Sequence, residues 1–415
     1  MKNDRTFAIH TLGCKLNYSE SSHISRKLIE NGFSISYDPT YIIINSCAVT
    51  GAAEKKGRNL TSKLHRDHPD AKIIVVGCYS QLDTDKVMGW DGVYKTYGTE
   101  NKINLVQHLL GESEPDVPEF FSAFSSHSRT RSFLKIQDGC DYHCTYCTVA
   151  KARGESRSDT VENAINNIKE IRLLGIKEVN LTGVNVGDFG KNQNENLYEL
   201  LHQLNQLNLI ERIRISSIEP NLLTDEIMQL VASSNVLMPH FHIPLQSGCD
   251  KILQLMKRRY STDFFRNKVH KIKQLIPNAC IAVDVITGFP GETDEDFMNT
   301  YEFIKSLPIS YLHVFTYSKR ANTPAAVAPD QVPEHVKKER TKALLSLSIQ
   351  KKESFYAQHF GQIRSVLVEE SSHKGYLFGF TDNYIKVKLP FDKTLINQIV
   401  DLSITQENIV MDIHE

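Results

Sequence analysis

No apolar run in this 415-residue chain approaches the length needed to cross a bilayer. Its start, MKNDRTFAIHTLGC, also lacks the apolar stretch of a secretory signal, so a cytoplasmic protein without a membrane partner is expected. Net charge is nearly absent too. The 48 Lys and Arg against 49 Asp and Glu leave −1, which gives no global attraction for nucleic acid. There is no internal repeat and no low-complexity tract. A chain that is 40% hydrophobic and 23% charged reads as globular, and its length suggests two or three domains. Structural disulfides are not expected in a reducing compartment, so any of the eight cysteines that cluster are candidates for metal ligation or catalysis.

In the first hundred residues, short β-branched runs alternate with helical patterns. Phe7–Leu12 leads to Cys14, Tyr41–Asn45 to Cys47 and Ile73–Val76 to Cys78, while Ile24, Leu28 and Ile29 have helical spacing and Gly32 suits a helix C′ position. This alternation predicts a flavodoxin-like parallel sheet over residues 1–113, with the three cysteines converging at the carboxyl edge of its strands. Residues 114–128 have linker composition. A second alternating series over 129–357 has candidate strands at Phe133–Gln137, Glu178–Thr182, Arg212–Ser216, Pro239–Ile243, Ile281–Thr287 and Tyr311–Thr316, with helices including Val161–Leu174 and Thr262–Leu275. Six such units predict a partial (β/α)6 barrel. After a Lys-rich helical stretch, residues 358–415 read as a small all-β barrel with strands at Gly361–Glu370, Gly375–Thr381 and Tyr384–Leu389.

Cys140-Asp-Tyr-His-Cys144-Thr-Tyr-Cys147 is the most informative segment. Three thiolates within eight residues, directly after a strand, can bind three irons of a 4Fe–4S cube and leave the fourth open. A structural zinc would want four ligands, usually as two separated pairs, and no second pair is present.

With this loop the chain resembles, over essentially its whole length, the radical S-adenosylmethionine superfamily and, within it, the methylthiotransferases. The resemblance continues through RGESRS (Arg153–Ser158), LTGVNVG (Leu181–Gly187), SSIEP (Ser216–Pro220), HIPLQSGCDKILQLMKRRY (His242–Tyr260), DVITGFPGETDEDF (Asp284–Phe297) and FTYSKRANTPAA (Phe315–Ala326). It departs where a proline common after the loop is Ala150. It implies that S-adenosylmethionine sits on the open iron, with Tyr146 toward its adenine, Thr182 and Gly183 toward its amino group, and Ser217 and Glu219 toward the ribose. Gly288, Pro290 and Gly291 would let the backbone approach the ligand. It also implies an auxiliary 4Fe–4S cluster on Cys14, Cys47 and Cys78, and two S-adenosylmethionine molecules per turnover, one as methyl donor and one as radical source. The resemblance assigns no catalytic side chain beyond these ligands.

TLGCKLNYSES, INSCAVT, KIQDGCDYHCTYC and ARGESRS resemble the class that methylthiolates carbon 2 of N6-threonylcarbamoyladenosine at position 37 of tRNA. The isopentenyladenosine class typically has GCQMN where this chain has Gly13-Cys14-Lys15-Leu16-Asn17, and the class acting on a ribosomal protein departs further. The competing readings are thus an isopentenyladenosine enzyme and a non-catalytic metal-bearing RNA-binding protein. GQIRSVLVEE and GYLFGFTDNYIKVKL resemble the RNA-binding module called TRAM, whose aromatics Tyr376, Phe378, Phe380 and Tyr384 either stack on bases or fill the module's core. Acidic residues outnumber basic ones there, so phosphates of an anticodon stem–loop need another partner. Candidates are Lys257, Arg258 and Arg259 with Arg266, Lys268, Lys271 and Lys273, and the helix carrying Lys337, Lys338, Arg340 and Lys342. Cys249 and Cys280 read as packing residues. His240 and His242 read as satisfied buried histidines, with no third metal ligand suggested.

Overall fold

A computed structural model describes residues 5–48, 50–113, 120–126 and 130–411. The first unit is a five-stranded parallel sheet of β1 (Thr6–Thr11), β2 (Ser34–Ile35), β3 (Tyr41–Ser46), β4 (Lys72–Gly77) and β5 (Val93–Tyr97), ordered β2-β1-β3-β4-β5. That is the flavodoxin-like order. Its central strands are fully buried from Ile42 to Ile44 and from Ile73 to Val76, the continuous apolar runs of a sheet covered on both faces. The cover comes from α1 (Lys15–Glu30), α2 (Gly51–Asp67), α3 (Cys78–Leu82), α4 (Thr84–Met88) and α5 (Asn104–Leu110). Gly32 takes the left-handed conformation (φ +84°) expected just past the end of α1.

Part of the expected linker is structured: β6 (Ala123–Phe124) pairs antiparallel with β7 (Arg131–Lys135), while 114–119 and 127–129 lie outside the described residues. Next come β8 (Gln137–Asp138) and β9 (Arg157–Ser158), which pair with each other, then the remaining barrel strands. These are β10 (Glu178–Thr182), β11 (Arg212–Ile215), β12 (His240–Gln246), β13 (Cys280–Thr287) and β14 (Tyr311–Thr316). Strands β7, β10 and β11 form one parallel set and β12, β13 and β14 another, joined by a single parallel bridge between Ile213 and Leu237. The six make an open, curved barrel.

Its helices are α6 (Val149–Arg153), α7 (Val161–Leu173), α8 (Leu197–Leu207), α9 (Asp225–Ser233), α10 (Asp250–Leu255), α11 (Thr262–Leu275), α12 (Asp294–Ser306), α13 (Pro324–Val327) and α14 (Glu334–Ala357). Thr160, Asn196, Thr224, Ser261 and Thr293 each cap one of them, the side-chain oxygen accepting from the N–H three residues on. These caps fix where each strand-to-helix loop ends and hence which residues face the barrel's top.

The last unit is an antiparallel sheet of β15 (Ile363–His373), β16 (Tyr376–Thr381), β17 (Lys386–Pro390) and β18 (Ile399–Ser403), ordered β17-β16-β15-β18. Strands β17 and β18 do not pair among the described residues, so the small all-β unit is a half-barrel. Tyr384 is not in a strand as expected. Its φ of +70° puts it in the turn before β17, a left-handed conformation that regular strand pairing does not accommodate. No helix among the described residues is long and apolar enough to cross a membrane.

Candidate active site

Cys14, Cys47 and Cys78 follow β1, β3 and β4, which are neighbours in the sheet, so thirty residues of sequence separation collapse to adjacent loops. Gly13 makes this approach feasible. With φ at +99°, it sits where a Cβ would lie 2.6 Å from the Cys47 Cβ and 2.8 Å from its sulfur. Burial pushes the Cys78 thiol up, while Arg153 nearby acts in the opposite sense. All three cysteines line a cavity of about 760 Å³ between the first sheet and the barrel interior.

The Cys140–Cys147 loop crowns β7 and β8. Each sulfur accepts a hydrogen bond: Cys140 from the Tyr142 N–H (3.4 Å), Cys147 from the Val149 N–H (3.4 Å) and Cys144 from Arg258 Nη1 (3.1 Å). Three acceptor sulfurs so supplied fit thiolate ligands of a cluster. Burial, reinforced by the neighbouring thiols, pushes Cys140 up to about 12 and Cys147 up to about 11, so bare thiolates here are costly without a cation. The loop lines a second cavity of about 320 Å³. The two cavities adjoin, sharing Thr148, Val149, Val184, Ser217, Asp284 and Phe315 as walls.

The residues expected around S-adenosylmethionine divide. Tyr146, Ser217 and Glu219 line the smaller cavity, whereas Thr182 and Gly183 line the larger. Glu219 pairs with Arg258, and burial still raises its carboxyl above the usual range. Gly288, Pro290 and Gly291 line neither cavity. The close approach that Gly288 allows is to Lys337, whose Cγ would lie 2.3 Å from an added Cβ, and its N–H is held by Glu292 (2.9 Å). Gln246 also lines the smaller cavity, with φ at +66° beside a register shift in β12. An irregularity of that kind is visible in structure, not in composition.

Part of the expected basic surface is turned inward, while Lys257, Arg259, Lys338 and Lys342 stay exposed. Arg258 is buried in the cluster site, and Arg259 lies 3.8 Å over the Tyr142 ring. Lys268 and Lys271 pair with Asp225, Lys273 binds backbone carbonyls, and Arg340 is buried on Glu292 and Asp294. Lys337 is buried as well. Cys249 bonds Asp296 and Cys280 packs against the C-terminal half-barrel, both as packing residues.

The histidines depart from expectation. His240 and His242 do share the chamber face, but both ring nitrogens of His240 lack a hydrogen-bond partner among the described residues. A third candidate ligand exists: His242 Nε2 meets Asp284 at 2.7 Å, and His313 completes a group whose ligand atoms lie within 4.8 Å of one another. Asp284 and His313 are register partners on β13 and β14, a pairing no residue spacing reveals.

A half-open parallel barrel with three acceptor cysteines at its crown defines a cluster-dependent radical enzyme. Residues 134–304 match the Radical SAM superfamily, and residues 6–96 match an uncharacterized protein family, UPF0004. The chain is 37% identical to threonylcarbamoyladenosine tRNA methylthiotransferase MtaB of Bacillus subtilis, over 96% of this chain and 93% of that one. It is 34% identical to tRNA-2-methylthio-N(6)-dimethylallyladenosine synthase of Clostridium tetani, over 97% and 94%. The solved radical S-adenosylmethionine methyltransferase TsrM of Kitasatospora setae shares the fold, with a TM-score of 0.59 at 12% identity, over 78% of this chain and 77% of that one. The chain belongs to the radical S-adenosylmethionine tRNA methylthiotransferase family. It is therefore an enzyme acting on tRNA, with S-adenosylmethionine and 4Fe–4S clusters as cofactors, and the non-catalytic reading falls.

Proposed function

We propose that the chain methylthiolates carbon 2 of N6-threonylcarbamoyladenosine at position 37, engaging the anticodon stem–loop and using two S-adenosylmethionine molecules, one as methyl donor and one as radical source. The observation that carries this reading is the meeting of two three-cysteine sets on adjoining cavities with common walls. Cys140, Cys144 and Cys147 hold the radical-generating cluster, and Cys14, Cys47 and Cys78 the auxiliary one. When bound, the first cluster supplies the electron that breaks a carbon–sulfur bond of S-adenosylmethionine.

The side chains position and shield. Tyr146 offers a ring edge-on to Phe289 (centroids 6.3 Å apart), a wall for the adenine of S-adenosylmethionine. Ser217, on both cavity walls, reaches the ribose. Arg258 bonds both Cys144 and Glu219, fixing ligand and wall together. Thr182 and Gly183 border the chamber in which the target base meets the auxiliary cluster. By this reading residues 1–113 carry the auxiliary site, 114–128 connect, 129–357 generate the radical, and 358–415 are a TRAM-like RNA module. Relatives named for the dimethylallyl substrate are nearly as similar, so the N6 substituent is the point to test.

Anaerobically reconstituted protein is expected to hold about eight irons per chain, four per cube. Changing Cys140, Cys144 and Cys147 to Ala should leave about four and abolish 5′-deoxyadenosine formation. Changing Cys14, Cys47 and Cys78 to Ala should keep 5′-deoxyadenosine but remove methylthiolated nucleoside from a threonylcarbamoylated stem–loop. Undiminished methylthio product would return those three cysteines to packing. Methylthio product from the dimethylallyl stem–loop alone would overturn the substrate.

A further inference from the structure

The helix that follows Cys47 has an outer surface that neither cavity uses. Helix α2 buries Gly57, Thr61 and Leu64 toward its sheet, with Gly57 facing Trp90 and Leu12. Its outward side carries Lys55, Lys56, Arg58, Lys63 and Arg66, all exposed. A run of this kind is ordinarily a solvated face laced with carboxylates one turn away. Here the lacing is missing. Four residues to either side of Lys55 and Lys56 stand Gly51, Asn59, Ala52 and Leu60. Glu54, four residues before Arg58, is bound instead to Arg320, and Asp67, four after Lys63, lies 3.9 Å from Arg66. Lys55, Lys56, Arg58 and Lys63 enter no ion pair among the described residues. Lys55 with Arg58, and Lys63 with Arg66, are same-sign neighbours three residues apart, an arrangement that works against the helix. Since the whole chain carries a net charge of only −1, this concentration is local.

The place of this face in the fold gives the charge a use. The Gly51 N–H donates to the Ser318 hydroxyl (3.3 Å), and the Glu54–Arg320 pair lies beside it. Thr50, Ser318 and Arg320 are walls of the smaller cavity, so α2 begins at that cavity's rim. Lys319, exposed next to Ser318, adds a further cation there. From Lys55 to Arg66 the helix rises about 16 Å, long enough for the stripe to meet several successive phosphates of one strand.

We propose that the outward face of α2, with Lys319 at its head, is the surface on which the tRNA phosphate backbone lies while one nucleotide enters the cavities. This rests on tRNA as the substrate and holds for either N6 substituent. Charge complementarity selects the occupant, because a polyanion neutralises several neighbouring cations at once and releases its own counterions in doing so. The C-terminal half-barrel offers no such stripe, since acidic residues outnumber basic ones in it. Phosphate contacts set the register of an RNA and carry no base information. The stripe therefore positions the strand, and recognition of the base is left to the cavity walls.

The test measures dissociation constants of fluorescent tRNA on the reconstituted full chain between about 50 and about 200 mM salt. Combining Lys55→Gln, Lys56→Gln and Lys63→Gln should weaken binding at least about tenfold at the lower salt. The slope of log affinity against log salt should shrink by about one for each lysine removed. The loss should be the same for tRNA with and without its N6 substituent, and the three lysines changed to Arg should bind as the native protein does. Circular dichroism and iron content check that each variant is folded and loaded. An unchanged affinity and slope in the Gln variant would overturn the proposal. So would an equal loss per lysine in Lys338→Gln with Lys342→Gln on α14, which would reduce the effect to net charge. Native tRNA binding by the Gln variant, with slower cluster reduction by an acidic electron-transfer protein but not by dithionite, would overturn it in favour of a protein partner. Failure of the tRNA reading is distinguishable, because the native protein itself would then show no salt-dependent affinity for tRNA.

Discussion

Arg258 ties the cluster loop to the rest of the smaller cavity. Its fork reaches Cys144 (3.1 Å) and Glu219, and its Nε donates to the Tyr260 hydroxyl (3.2 Å), which in turn donates to the carbonyls of Pro244 and Leu245. A lysine keeps the charge but cannot serve three partners at fixed angles. Arg258→Lys is expected to keep its iron but to cut 5′-deoxyadenosine formation by about 10–100-fold, as loss of a charge-assisted bond of about 1.5–3 kcal/mol implies. The cluster's potential should also fall, since a thiolate loses its donor. Redox titration followed by electron paramagnetic resonance checks this, and an unchanged potential with unchanged turnover would make Arg258 a packing residue. In the sequence, Lys257-Arg258-Arg259 reads as a solvated basic face. What buries Arg258 is Glu219 and Cys144, distant in sequence and visible only once the strands are in register.

At the scale of elements, α1 does more than cover its own sheet. Its apolar positions, Ile24 and Leu28, are legible by helical spacing, but four residues of the run NYSES are equally buried: Asn17, Ser19, Glu20 and Ser21 are all enclosed, with Tyr18 exposed. Ser19 donates to the Phe133 carbonyl (2.8 Å) and Arg26 to that of Phe124 (2.8 Å), so this helix docks the first unit onto β6 and β7. That explains why β6 is not legible in a stretch of linker composition: besides its pairing with β7, it is covered by a polar helix face from the first unit. The strand ends were legible because β-branched runs and cap residues mark them locally, and the Thr262–Leu275 helix is reproduced to the residue. The fourth strand of the half-barrel, Ile399–Ser403, carries the β-branched pair Ile399 and Val400 but has no glycine or proline turn beside it to mark its ends.

Glu20 lies at the centre of this docking, bonded to Lys102, Lys135 and Arg153, with Asp138 sharing the last two. Burial alone would raise its carboxyl, but the three cations hold it well below the ordinary value of 4.5. A depressed folded value means the stabilisation is complete above about pH 4.5 and is lost progressively on further acidification. Glu20→Gln should cost about 3–5 kcal/mol near neutrality, because Lys102 loses its buried counter-charge and Lys135 and Arg153 are left with Asp138 alone. The gap between variant and native protein should narrow as pH falls below 4.5, the ordinary carboxyl value. Denaturant unfolding at several pH values checks both, and a gap that widened in acid would contradict the assignment.

At the scale of the whole molecule, the C-terminal half-barrel closes the barrel's lower end. Arg212 donates to the carbonyls of Phe380 and Ser365, and Arg214 to those of Thr381 and Asp382, while Glu178 beneath them is fully buried beside both guanidinium groups. Tyr384 lines the chamber, stacked on Phe380 (4.7 Å) and 4.5 Å from His240. Of the four aromatics expected either to stack on RNA or to fill the module, these two are spent on the barrel. Removing residues 358–415 should therefore do more than weaken tRNA binding. Melting temperature and 5′-deoxyadenosine formation without tRNA are both expected to fall, and a truncated chain that lost RNA affinity alone would reduce the module to a tether.

The chamber has Cys14, Cys47 and Cys78 at one wall, the half-barrel at its floor and the Cys140–Cys147 cavity beside it. On the reading proposed above, chemistry on carbon 2 of an adenine inside such an enclosure cannot proceed while the base is stacked between its neighbours. The nucleotide must be swung out of its strand and inserted alone, which costs a few kcal/mol and least where pairing is already absent. Walls built from three units of one chain thus confine the enzyme to nucleotides that an RNA can surrender, and a hairpin loop surrenders them more readily than a helix does.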